Sequence, residues 1–120
     1  QMLLGFYAPP TQTFLYFFLV IMLDYVLAFG VFSLGGVFER ALGGGRAAMA
    51  GAAGICCLLR FLCHFLSGIL IWSSFAPEGQ SPAVYSFLYN GSYMLCELVL
   101  TSAVAFVIGP RLKNAVVSRR

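Results

Sequence analysis

The sequence predicts an all-α membrane protein, and three observations carry that prediction. Hydrophobic residues fill 61% of the 120 positions and charged residues only 9%, with a mean hydropathy of +0.92. About a quarter of a typical soluble domain is charged. The apolar residues gather in three stretches, each near the roughly 20 residues a helix needs to cross the hydrocarbon core. Within each stretch they run continuously, without the dyad alternation of a transmembrane barrel, so helices are expected rather than strands.

The spans are placed at residues 13–38, 47–72 and 92–109, with one long connection at 73–91. The first opens on an aromatic cluster, Phe14, Tyr16, Phe17 and Phe18, where an interfacial belt belongs, and carries Asp24-Tyr25 well inside. The second begins with Ala47, Ala48, Ala50, Gly51, Ala52, Ala53 and Gly54. In lipid, helices associate by packing and hydrogen bonding, and small residues let a neighbour approach closely. The connection mixes turn residues with aromatics: Pro77-Glu78-Gly79 signals a turn, and Ser81-Pro82 suits the start of a short helix. It is expected to pack back on the bundle as a lid. Tyr7-Ala8-Pro9-Pro10, upstream, reads as an outer loop or interfacial segment.

Basic residues set the orientation. Arg40 and Arg46 lie between the first two spans, and Arg111, Lys113, Arg119 and Arg120 follow the third, whereas residues 73–91 hold no Lys or Arg. The positive-inside rule places the Gly43-Gly44-Gly45 loop and the tail in the cytoplasm and the long connection outside. Three spans then leave Gln1 outside, an odd entry without a signal peptide, which suggests the C-terminal part of a longer protein.

Several classes are disfavoured. Cys56, Cys57, Cys63 and Cys96 all fall inside spans, with neither a CxxC pair nor a Cys/His ligand spacing, so no metal site or disulfide framework is expected. The net charge of +3 needs only anionic lipid head groups and does not argue for nucleic acid. No activated nucleophile with its base, and no selectivity filter, is evident.

Interest concentrates on Arg60, His64, Gly68 and Trp72, four residues apart and hence on one slowly drifting helical stripe. Ionisable residues inside a membrane are costly and usually face a bundle interior or cavity. Asp24 reads equally as an ion-pair partner of Arg60 or as the acceptor for a cationic ligand. Arg60 requires a carboxylate, Asp24 or Glu97, and a structural Arg60–Glu97 pair is expected. Gly68 would leave room for a small molecule against the helix backbone. Trp72 is either a belt residue or a stacking platform for an aromatic or cationic ring. Asn90, Tyr93 and Glu97 share a face if the third helix begins by Asn90. Together these groups resemble a pocket for a small, flat, polar molecule that can carry a positive charge.

Leu23-Asp24-Tyr25-Val26-Leu27-Ala28-Phe29, Arg60-Phe61-Leu62-Cys63-His64-Phe65-Leu66-Ser67-Gly68, Trp72-Ser73-Ser74-Phe75-Ala76-Pro77-Glu78-Gly79 and Tyr85-Ser86-Phe87-Leu88-Tyr89-Asn90-Gly91 resemble the thiamine-specific S components (the ThiT/YuaJ family) of energy-coupling factor (ECF) transporters. The resemblance implies the last three helices of a six-helix bundle in a bacterial cell membrane, binding thiamine from the outer side. Its partners would be a transmembrane T subunit and two ATPase subunits. The S component itself would have no catalytic activity and no cofactor, since ATP is used by the partners. Carried over, Asp24, Tyr25, His64, Gly68, Trp72, Tyr85 and Asn90 would form the thiamine site. Trp72 would stack on a thiamine ring, and Tyr85 and Asn90 would hydrogen-bond its polar groups. The alternatives are an S component for another vitamin or a thiamine precursor, a structural membrane subunit in which Asp24, Arg60 and Glu97 merely staple helices, and a membrane enzyme using His64 as a base.

Overall fold

The computed structural model describes residues 13–117. Three helices long and apolar enough to cross a membrane account for most of them, and no strand occurs among the described residues. Tyr7-Ala8-Pro9-Pro10 and the basic residues Arg119 and Arg120 lie outside the described residues.

Helix α1, Phe14–Ala41, is not uniform. Its second quarter, Ile21–Leu27, is π-helical, and Val31–Leu34 tightens to a 3-10 turn. Asp24 sits in the middle of the π segment, a wide-turn irregularity frequent at functional sites. At the tighter turn Ser33 Oγ donates to the Gly30 carbonyl at 2.7 Å, a side-chain bond that competes with the regular helical ladder.

The glycine run ends α1. Gly43 N–H donates to Arg40 O at 3.1 Å and Gly44 N–H to Glu39 O at 3.0 Å, the paired bonds of a Schellman cap. That cap needs a left-handed residue, and Gly43 supplies it at φ 86°. The chain reverses into α2, Gly45–Leu70. Beyond it come a 3-10 turn at Ser73–Phe75 and a turn closed by Gln80 N–H donating to Pro77 O at 3.0 Å, with Gly79 at φ 81°.

Helix α3 runs Pro82–Val117, beginning ten residues before the expected 92–109 span. Ser81 Oγ accepts from Val84 N–H at 3.3 Å and Pro82 takes the first helical position, so the start expected of a short helix opens a long one. Nothing between Val84 and Asn90 breaks a helix, and Gly91 costs only about 1 kcal/mol there. The lid expected over 73–91 is thus reduced to the short segment before Pro82. At 1.5 Å per residue α3 is about 54 Å long, well beyond the hydrocarbon thickness.

Helix α2 lies between α1 and α3, antiparallel to both. Its approach to α3 is set by small residues along the whole length. A Cβ added to Gly68 would fall 2.1 Å from Ser86 Oγ, one on Gly54 3.4 Å from Ser102 Oγ, and one on Gly109 2.7 Å from Met49 Sδ. Ala48, Ala52, Cys56 and Cys57 on α2 are buried, whereas Leu58, Leu62, Leu66 and Leu70 face outward. Glu39, near the end of α1, pairs with Lys113 of α3 at 2.7 Å, which brings Arg40, Arg46, Arg111 and Lys113 to one end of the bundle. Trp72 and the turn after it lie at the other.

Candidate functional site

Asp24 is the hub of the polar residues. Its Oδ1 faces His64 Nδ1 at 3.1 Å, and its Oδ2 accepts from Ser67 Oγ at 2.8 Å and from Trp72 Nε1 at 3.3 Å. All three partners lie on the last turns of α2 or just after it. The i, i+4 spacing of Arg60 and His64, and the i, i+3 spacing of His64 and Ser67, aim them at α1. The π segment carries the carboxylate that meets them.

The chain of contacts continues inward. Arg60 Nε–H donates to His64 Nε2 at 3.4 Å, and Arg60 Nη1 pairs with Glu97 Oε1 of α3. The guanidinium also lies over the Phe29 ring, 4.4 Å from its centroid. Arg60 therefore takes Glu97 and leaves Asp24 to other partners. An arginine only donates, so in this contact His64 Nε2 is the acceptor, while Nδ1 faces Asp24. The cluster thus joins two carboxylates, one guanidinium and one imidazole.

Asn90 joins α2 to α3. Its Nδ2 donates to Ser86 O at 3.0 Å, Ser86 Oγ at 3.1 Å and His64 O at 3.3 Å, and its Oδ1 accepts from Tyr93 Oη–H at 2.7 Å. Ser86 Oγ in turn donates to Phe65 O at 2.9 Å. Ser86 occupies the space where a Gly68 side chain would stand, so this glycine lets α3 approach α2 closely there.

The structure thus brings Asp24, His64 and Trp72 into direct contact and sets Asn90 behind His64. Tyr25, next to Asp24 on the π segment, is 47% exposed. Tyr85 stacks on Tyr89, their centroids 5.8 Å apart, and the row continues through Tyr93 to within 6.4 Å of the His64 ring. Trp72 packs against Phe75 at 5.8 Å. Ser67 and Ser86 were not singled out from the sequence; Ser67 is one turn from His64 and Ser86 one turn from Asn90, the only signal either gives. Among the described residues no cluster of His, Cys, Asp and Glu converges as a metal site. A cavity of about 540 Å³ between α2 and α3 is lined by apolar groups such as Phe61, Phe87, Leu95 and Leu98. No member of the Asp24 cluster lines it.

The family model described as thiamine transporter protein (Thia_YuaJ) matches residues 2–116. The thiamine transporter ThiT of Bacillus subtilis (strain 168) is 31% identical over 106 residues, covering 77% of this chain and 54% of that protein. The thiamine transporter ThiT of Lacticaseibacillus paracasei (strain ATCC 334) is 32% identical over 96 residues, covering 72% of this chain and 48% of that protein. The chain spans about half the length of the curated relatives it matches. No solved structure matches it.

Proposed function

Because this chain belongs to the thiamine transporter protein (Thia_YuaJ) family, we propose that it supplies one wall of a thiamine site in the substrate-binding subunit of an ECF-type importer. The observation that carries the reading is the mostly buried Asp24 carboxylate, held by His64, Ser67 and Trp72 while Arg60 pairs with Glu97. A buried charge without a counter-ion is expensive, and a cation entering the site supplies one. Thiamine brings a permanently cationic thiazolium, together with an aminopyrimidine that donates to a carboxylate. A neutral pyrimidine precursor would leave the charge uncompensated, which favours the whole vitamin.

In this reading Asp24 is the anionic contact and Trp72 the stacking face. His64 and Ser67 hold the carboxylate, and Tyr25 and Tyr85 complete the rim. Asn90 acts through His64 and Tyr93 as well as through any contact of its own. The basic end of the bundle faces the cytoplasm and the Trp72 end the outside, as the positive-inside rule directs. Further helices close the pocket, and a T subunit with two ATPases drives release, ATP being used only by the partners.

The test is a fluorescence titration of the purified full-length protein. Thiamine should quench tryptophan emission saturably, with the signal reduced in Trp72→Phe. A protein blind to thiamine but responsive to a neutral vitamin would overturn the reading.

A further inference from the structure

We infer that Arg60 is a positioning residue of this site: by donating Nε–H to His64 Nε2 it holds the imidazole as the neutral tautomer whose Nδ1–H grips Asp24. The inference rests on the thiamine-site reading for its consequence, but its core is a statement about protons that needs no ligand.

Arg60 is itself held from three sides. Glu97 of α3 binds Nη1, Phe29 of α1 lies 4.4 Å beneath the guanidinium, and the rest of α2 carries it one turn from His64. With its side chain only 15% exposed, it has little freedom to turn away. The groups that face His64 are Asp24 from α1, Arg60 from its own helix, and Tyr93 and Asn90 from α3. Of these, Asp24 contacts Nδ1 and Arg60 contacts Nε2. Asp24 alone does not settle the proton count, since a carboxylate would accept from a neutral or a doubly protonated ring. Arg60 does, because a proton on Nε2 would face its N–H and its positive charge. A neutral Nδ1–H ring keeps the cluster at one net negative charge; an imidazolium would cancel that charge and the attraction for a cation. The opposite neutral tautomer would turn a lone pair toward the carboxylate. The Arg60–Glu97 pair, read from the sequence as a structural staple, thereby sets the charge that the ligand meets.

The test uses the full-length protein in detergent, with histidine labelled by ¹⁵N and the His64 signal assigned by its loss in His64→Gln. Ligand-free wild type near neutral pH should show a protonated Nδ1 and an unprotonated Nε2. The double variant Arg60→Met/Glu97→Leu removes both charges together, so the net charge and the apolar packing are kept while the donor is lost. It should show mixed tautomers or a doubly protonated ring, and bind thiamine about tenfold more weakly, the worth of one hydrogen bond to a charged group. A wild-type ring protonated on Nε2, or a double variant with unchanged tautomer and affinity, would overturn the inference. A wild type that ignores thiamine yet shows the Nδ1–H tautomer would count against the functional reading and in favour of this one.

Discussion

Ser67 Oγ lies 2.8 Å from Asp24 Oδ2, across 43 residues of sequence, and that contact orients the carboxylate at the centre of the site. Asp24→Asn keeps the shape and removes the charge. Thiamine affinity should fall by at least about thirtyfold, corresponding to about 2 kcal/mol for a charged contact. Ser67→Ala should cost only about fivefold, since His64 and Trp72 still hold the carboxylate. Calorimetric titration of the full-length protein measures both. The ligand-free unfolding temperature of Asp24→Asn should be unchanged or higher, because a buried carboxylate is costly without its cation. Wild-type affinity in Asp24→Asn would sink the charge argument.

Gly68 and Ser86 make a second prediction. Gly68→Ala drives a Cβ to 2.1 Å from Ser86 Oγ and 2.7 Å from Ser86 Cβ, so α2 and α3 must separate. Overpacking of this kind costs about 1–3 kcal/mol. Ser86→Ala would leave the clash with Cβ, whereas Ser86→Gly removes it. The double variant Gly68→Ala/Ser86→Gly should therefore melt above Gly68→Ala alone, as followed by thermal unfolding in detergent. Equal melting of the two would show that the helices do not meet there.

The three spans were legible because hydropathy is a sum over many residues and tolerates local error. So were Asp24, Arg60, His64 and Glu97, since an ionisable side chain in an apolar run has few harmless explanations. Partner choice was less legible: both carboxylates suited Arg60, and only the register of α3 against α2 assigns Glu97 to it. Gly68 was legible as a gap but not in what fills it, since a glycine reads the same beside a ligand or beside the serine that stands there. The π segment at Ile21–Leu27 left no mark in residue types. The early start of α3 was hidden by its polar and aromatic first turns, which read as loop to a hydropathy scale though they form a helix readily.

The two ion pairs should differ sharply in worth. Arg60 and Glu97 are 15% and 29% exposed, while Lys113 is 53% exposed and its partner Glu39 14%. Glu97→Leu strands a mostly buried guanidinium and should destabilise by about 3 kcal/mol. Lys113→Ala removes a half-exposed ammonium whose attraction water screens and should cost less, about 1 kcal/mol. Thermal unfolding of both variants at low and high salt checks this; a larger loss in Lys113→Ala would reverse the assignment.

Trp72 offers a separation of ring from N–H. Its Nε1 donates to Asp24 Oδ2 at 3.3 Å, a long bond that shares its acceptor with Ser67, while its ring is available for stacking beside Phe75. Trp72→Phe deletes the donor and keeps an aromatic face; Trp72→Ala deletes both. If stacking on a cationic ring dominates, a desolvated cation–π contact is worth about 2 kcal/mol or more. Trp72→Ala should then weaken thiamine binding by at least about thirtyfold and Trp72→Phe by well under tenfold. Calorimetry reads both without relying on the indole signal. Should Trp72→Phe lose as much as Trp72→Ala, the indole N–H would be the larger contribution, and Trp72 would join His64 and Ser67 as a holder of the Asp24 carboxylate.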